Sequence, residues 1–185
     1  MGNFGMSTFH TELLYSTAAC ALCTVGAVFD IRDRRIPNLL TLPGVLAGLL
    51  LHLFTAGWHG MGSSAAAGLI AFVLFLIFWL AGGMGAGDVK LMAAAACLTG
   101  LTHVVWLLIF TALAGGVMGI AMALWRGQLR ETFLNVGAIA VHHRYEGLTP
   151  HPELHVGNAR TLRLPYAVAI AAGAAVVLAM TVVQR

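Results

Sequence analysis

Long apolar runs separated by short polar breaks occupy almost the whole chain of 185 residues. Runs of about 20 residues are what an α-helix needs to cross the hydrocarbon core of a bilayer. The pattern predicts six such spans, at 11–29, 39–56, 63–82, 89–101, 103–125 and 164–183. We therefore predict an all-α, multi-pass membrane protein that forms a single transmembrane domain over residues 1–185.

The one sizeable polar stretch lies between the last two predicted spans, at 126–163. In its first half the apolar residues recur at helical spacing, which favours an amphipathic helix lying on the membrane surface. Its second half is rich in Gly, Pro and His and is predicted to be a loop.

Composition supports the membrane class, with 59% hydrophobic and 9% charged residues and a mean hydropathy of +0.88. The net charge is +3. Basic residues in a membrane protein mostly mark cytoplasmic loops, so we expect the lipid bilayer and no nucleic acid as a partner. The first apolar run has no basic segment before it, so we expect a permanent span rather than a signal peptide.

Cysteine and histidine residues do not form a recognisable metal site. The CxxC pair Cys20 and Cys23 lies in an apolar helix, and with Cys97 it supplies too few thiols for a structural zinc site. No acid at a known spacing accompanies the histidine pairs of the polar stretch, so neither a metal nor a cofactor is expected. These pairs are His142-His143 and His151 with His155. Three other histidines, His52, His59 and His103, are expected to lie near the outer membrane interface.

Two short aspartate motifs stand at polar edges of the apolar runs. They are Asp30-Ile31-Arg32-Asp33-Arg34-Arg35-Ile36-Pro37-Asn38 and Gly85-Ala86-Gly87-Asp88-Val89-Lys90. A carboxylate at a membrane edge is costly to desolvate and is a functional candidate by default. If Asp30 and Asp88 come together, they form a shared-proton pair: the ionised member takes a proton from water while the neutral member donates to a scissile carbonyl.

Each acid also has a purely structural interpretation. Asp30 can be a helix-end acid neutralised by a nearby arginine, and Asp33 an ion-paired surface acid. Asp88 can be the N-cap of the fourth span, a common arrangement.

The residues around the aspartates have predicted roles of their own. Pro37 forces an extended backbone before the second span, and Asn38 can cap that span. Gly85 and Gly87 permit backbone conformations closed to other residues and a close approach by another backbone. Lys90 either biases the titration of Asp88 or anchors the fourth span. We expect Pro37, Asn38, Gly85, Gly87 and Lys90 to line the approach of a substrate backbone.

Together the two motifs resemble those of the type IV prepilin peptidases, membrane aspartic proteases of the GxGD class. Thr41, Leu91 and the Leu164-Pro165-Tyr166 start of the last span also match. The resemblance implies that Asp30 and Asp88 are the catalytic residues and that Asp33 is not. It further implies removal of the short leader from prepilins and pseudopilins at the cytoplasmic face of the bacterial inner membrane.

Within that family the chain is similar to the short form that serves Flp/Tad-type pili. Longer members carry an N-terminal part with two CxxC pairs that is associated with N-methylation of the product. This chain begins directly with a span, so methyltransferase activity is expected to be absent. The oligomeric state is left open.

A proton-coupled transporter or channel component that uses the same aspartates is the alternative. Such a protein is expected to carry acids in the middle of its spans, often with repeat symmetry. Here both acids lie at one predicted membrane face and no repeat is visible.

Nine of the ten basic residues fall on alternate loops, which predicts the orientation. We expect the loops at 31–38 and 126–163 to face the cytoplasm and both termini to lie outside. A single cysteine at position 33, in a variant without the native cysteines, should react with an impermeant thiol reagent only from the cytoplasmic side. Labelling from the outside would refute the orientation.

Overall fold

The computed structural model describes residues 2–127 and 165–183, together with positions 130 and 134. Its described part contains four helices: α1 (Gly2–Asp33), α2 (Asn38–Leu80), α3 (Ala86–Trp125) and α4 (Tyr166–Val183). All four are long and apolar enough to cross a membrane. The predicted all-α membrane class is confirmed. The predicted surface helix and loop at 126–163 lie largely outside the described residues.

Each of the two longest helices contains one glycine with a non-helical backbone. In α2 this is Gly57, with φ 64° and ψ −154°. In α3 it is Gly100, with φ 67° and ψ −179°. Positive φ strains residues that carry a Cβ, so glycine suits both positions. These helices have 43 and 40 residues, and a straight helix of 40 residues would extend about 60 Å, twice the bilayer core.

Packing shows that α2 and α3 fold back at these glycines. Gly48 and Gly68 both lie against Cys97, although a straight helix would separate them by about 30 Å. In α3, Gly115 lies against Tyr166 and Asp88 is within electrostatic range of the same residue, although a straight helix would separate Asp88 from Gly115 by about 40 Å. The helix bounds therefore give four candidate spans where the sequence predicted six, because each long helix includes two predicted spans and the bend between them.

Side chains of α2 hydrogen-bond backbone groups at the bend of α3. Ser64 Oγ donates to the Cys97 carbonyl at 2.7 Å, and His52 Nε2 donates to the Leu98 carbonyl at 3.1 Å. The Leu101 amide donates to Ser63 Oγ at 3.1 Å. Buried backbone groups need hydrogen-bond partners, so these bonds help to stabilise the bend.

Two of the three histidines expected near the outer interface are buried in the helix bundle. His52 is buried and stacks on Tyr15 with a centroid separation of 3.9 Å. His103 is also buried, and its Nδ1 lies 3.2 Å from Glu12 Oε2 on α1. His59 is exposed. The two buried rings connect α1 to the bend of α3, because His52 contacts Tyr15 and the Leu98 carbonyl while His103 lies beside Glu12. These contacts join residues far apart in the sequence, so the sequence did not predict them.

The most buried segment of the described chain is the first limb of α3, residues 88–100. Apart from Lys90, every residue in this segment is buried. Small residues let neighbouring helices approach it closely. A Cβ on Gly48, for example, would lie 2.6 Å from the carbonyl carbon of Cys97. Asp88 thus lies at the start of the most buried limb of the described chain.

Replacing His52 with alanine should destabilise the bundle. The change leaves the buried Leu98 carbonyl without its donor, at a cost of about 1–3 kcal/mol, and opens space beside Gly100. Denaturant unfolding of the purified protein in detergent measures the loss. The matched variant His59→Ala, at an exposed position, should unfold like the wild type. Equal stability of the two variants would contradict the role given to His52.

Candidate active site

Asp30 lies in the last turn of α1, where the chain leaves its helix. The Arg34 amide donates to the Asp30 carbonyl at 3.0 Å, and Arg34 has a φ of 50°. The carboxylate is only partly buried. Its Oδ2 accepts a hydrogen bond of 3.4 Å from the Ala167 amide in the first turn of α4. Asp30 is therefore held by a segment far away in the sequence.

Asp88 lies in the first turn of α3, at the third helical position. Gly85 occupies the N-cap with an extended backbone, φ −80° and ψ 148°, and its amide donates to Asp88 Oδ2 at 3.2 Å. The N-cap interpretation of Asp88 is thus wrong: its side chain reaches back to the cap residue, as acids at this position do.

The second carboxyl oxygen of Asp88, Oδ1, makes no hydrogen bond with the described part of the protein. Asp88 is only 8% exposed, and its Oδ1 is buried without a hydrogen-bond partner among the described residues. Burying an unpaired carboxyl oxygen is costly. An unpaired carboxyl oxygen is chemically able to bind a substrate group.

The fold brings the two aspartates together at one end of the bundle. Asp30 and Asp88 are close enough to interact electrostatically. Like charges on two nearby carboxyl groups disfavour each other, which is the condition under which such groups share a proton. Arg34 is the cation that acts on Asp30, in line with the structural interpretation of that acid, but no ion pair within 4 Å joins them in the described chain.

The Ile36-Pro37-Asn38 element lies against the second motif. Lys90 Nζ donates to Asn38 Oδ1 at 2.9 Å, and Gly87 faces the side chain of Ile36. The predicted capping role of Asn38 is wrong: Pro37 occupies the N-cap of α2 and makes no side-chain cap bond. These residues therefore connect the two aspartate motifs to each other.

The backbone of the glycine motif differs from the one expected. Gly85 has a negative φ, and Gly87 lies inside α3 with no positive φ. The positive φ in this stretch belongs to Gly82, at 77°. The argument from special backbone conformation is wrong for Gly85 and Gly87. At Gly87 the requirement is space, because a Cβ there would lie 3.2 Å from Ile36 Cβ.

Other candidate residues lie apart from the pair. Asp33 is exposed at the end of α1 and forms no ion pair within the described ranges. The described residues hold no cluster of three or more potential metal ligands. The histidines of the polar stretch, at 142–155, are outside the described residues.

Sequence reasoning missed the contribution of α4. Tyr166 lies close enough to Asp88 to interact with it electrostatically, while Ala167 binds Asp30. Pro165 before them was a usable signal, because a proline at a helix start marks amides that are free to bind an acid. Which acid they bind was decided by packing.

Comparison with known proteins agrees with the geometry. Residues 17–120 match the model of the type IV leader peptidase family. The prepilin leader peptidase/N-methyltransferase of Burkholderia pseudomallei (strain 1026b) is 34% identical over 119 residues, which cover 60% of this chain and 38% of that protein. The protein of the same name from Aeromonas hydrophila is 34% identical over 123 residues, which cover 60% and 42%.

A third relative matches over a longer stretch. The prepilin leader peptidase/N-methyltransferase of Xanthomonas campestris pv. campestris is 29% identical over 143 residues, which cover 72% of this chain and 47% of that protein. The chain thus spans less than half the length of these curated relatives. No solved structure matches it.

The matched range contains both aspartates, both connecting elements and the central helix that places them. It covers more than half of the chain. The chain belongs to the type IV leader peptidase family.

Proposed function

We propose that the protein is a membrane aspartic endopeptidase that removes the leader from prepilins and pseudopilins. The observation that carries the proposal is the juxtaposition of Asp30 and Asp88 at one end of the bundle. A shared-proton pair hydrolyses a peptide bond without a metal or a covalent intermediate. The family and the names of the relatives supply the substrate class.

The two carboxyl groups differ in access to water, which divides their roles. Asp30 is partly exposed, so it takes the proton from the attacking water. Asp88 is buried and has a free Oδ1, so it donates to the oxygen of the scissile carbonyl. The tetrahedral intermediate then collapses as the leaving amine takes up a proton.

The bends at Gly57 and Gly100 support a six-span arrangement in the bilayer. If each limb of α2 and α3 crosses once, the bends lie at the outer face and the aspartates at the inner face. Loops at 31–38 and 126–163 are then cytoplasmic, and both termini lie outside. This topology agrees with the distribution of basic residues. In this proposed topology cleavage takes place at the cytoplasmic face of the bacterial inner membrane.

Two finer parts of the proposal come from the resemblance in sequence. The first is that the substrates are prepilins of Flp/Tad-type pili, and the second is that the protein does not transfer a methyl group to the product. Mass spectrometry of the matured pilin N-terminus tests the second part, because a methylated amine is heavier than a free one. Methyl transfer by the purified protein would refute it.

Asp30→Asn and Asp88→Asn should each lower leader cleavage at least 100-fold while the protein still inserts. An amide cannot take up or release the proton, and acid–base catalysis contributes about 10²- to 10⁴-fold. Immunoblotting of a co-expressed prepilin measures cleavage. Asp33→Asn is the matched control, since this exposed acid lies three residues from Asp30, and it should keep substantial activity. The assignment fails if Asp33 is essential and Asp30 dispensable.

Gly87→Val should lower cleavage at least tenfold by pushing Ile36 away from the glycine motif. Adding Ile36→Ala should restore part of the activity, because it removes the side chain that the valine meets. Gly116→Val is the control: this glycine also lies in α3, but a Cβ there meets nothing within 4 Å. Initial rates, corrected for the folded fraction, decide the matter. If Gly87→Val cleaves as fast as Gly116→Val, the fit between Gly87 and Ile36 is unimportant.

A further inference from the structure

The first limb of α2 runs alongside the first limb of α3, and the two limbs point in the same direction. Asn38 at the start of α2 bonds Lys90 near the start of α3. Further along both helices Gly48 lies against Cys97, where a Cβ on the glycine would come within 2.6 Å of the carbonyl carbon. The bond between Asn38 and Lys90 is therefore a contact at the open end of two closely packed limbs.

This bond is polar and lies on the surface. Lys90 Nζ donates to Asn38 Oδ1 at 2.9 Å, and both residues are exposed. Water competes for both groups at such a position, so the bond adds little to the stability of the bundle. The buried contacts of the small residues below it supply the packing between the two limbs. What the bond does fix is the local geometry of the segments that it joins.

On the α2 side, the bond holds the end of a short connection that begins near Asp30. The connection comprises residues 34–37, because α1 ends at Asp33 and α2 begins at Asn38. Pro37 has an extended backbone, with φ −70° and ψ 141°, and its ring leaves no freedom at φ. So short and restricted a connection cannot absorb a displacement of Asn38, and the displacement reaches the last turn of α1.

On the α3 side, the bond lies in the same helical turn as Asp88. Lys90 follows Asp88 by two residues, and Gly87 precedes it directly. Gly87 faces the side chain of Ile36 in the connection. The bond and this apolar contact therefore hold the connection against the first turn of α3 at two neighbouring points.

We propose that Asn38 and Lys90 are positioning residues for leader cleavage, and that their hydrogen bond sets the placement of Asp30 relative to Asp88. Neither side chain needs to touch the substrate to do so. The role differs from the one expected from the sequence, in which both residues line the approach of the substrate backbone. This inference rests on the proposed peptidase function.

Asn38→Leu and Lys90→Met each remove one partner of the bond and keep a side chain of similar length. For cleavage of a purified prepilin in detergent we expect each change to lower kcat about 5- to 50-fold, because small displacements of catalytic groups are costly. KM should stay within about twofold of the wild type, and the unfolding midpoint in denaturant should change little. Wild-type kcat in either variant, or a rise in KM alone, overturns the proposal.

The double variant Asn38→Leu/Lys90→Met tests whether the two residues act through one contact. Its kcat should match that of the more impaired single variant, because changes to the two partners of one contact are not additive. Asn38→Asp, which keeps an acceptor oxygen for Lys90, should lose less activity than Asn38→Leu. Additive losses, or equal losses in the two Asn38 variants, overturn the proposal.

Ser63→Ala is the matched control. The Leu101 amide donates to Ser63 Oγ at 3.1 Å, so this exposed bond also joins α2 to α3, but beside the bend at Gly100. Its kcat, corrected for the folded fraction, should equal that of the wild type. A loss as large as that of Asn38→Leu overturns the proposal, because loosening the two helices anywhere would then slow cleavage.

The same assay separates this inference from the proposed function. Wild-type protein that leaves prepilin uncut, or Asp30→Asn protein that cuts it normally, refutes the peptidase and the inference with it. Cleavage that needs both aspartates but not the bond between Asn38 and Lys90 refutes the inference alone.

Discussion

Close packing around one short helical limb is the constraint on which the structure depends. Residues 88–100 of α3 pack against α1 and both limbs of α2, and only Lys90 reaches the surface. Apolar surface alone does not drive helices together in lipid, so association relies on van der Waals contact between small residues. Gly44 and Gly48 provide that contact on one side and Gly68 on another. This close packing fixes the position of Asp88 at the start of the limb.

The two ends of this limb have different chemistry. At the Gly100 end, polar side chains of α2 hydrogen-bond backbone groups around the bend, and Glu12 lies beside His103. At the Asp88 end, one carboxyl oxygen has no partner in the described chain. Glu12 Oε2 and His103 Nδ1 at the Gly100 end also lack a hydrogen-bond partner among the described residues. The Asp88 end differs in that its unpaired oxygen belongs to the segment where the two aspartate motifs meet.

The candidate site is assembled from three separate parts of the chain. The end of α1 supplies Asp30, the start of α3 supplies Asp88, and the start of α4 donates a hydrogen bond to Asp30. The hydrogen bond between Lys90 and Asn38 and the fit of Gly87 against Ile36 join the first two parts. Changes in packing at these contacts are therefore expected to alter the geometry of the aspartate pair without touching either carboxyl group.

Hydrophobic patterning by itself determined the membrane class and the helical content, because the length of an apolar run is a local property of the chain. The motifs likewise identified Asp30 and Asp88 as candidates, because carboxylates are rare and costly in such a sequence. Tertiary structure alone decided the burial of His52 and His103 and the pairing of Asn38 with Lys90. It also decided the hydrogen bond between the Ala167 amide and Asp30. These features are contacts between residues distant in sequence, and a hydrogen-bond partner is set by which helices pack together rather than by the neighbours of a residue along the chain.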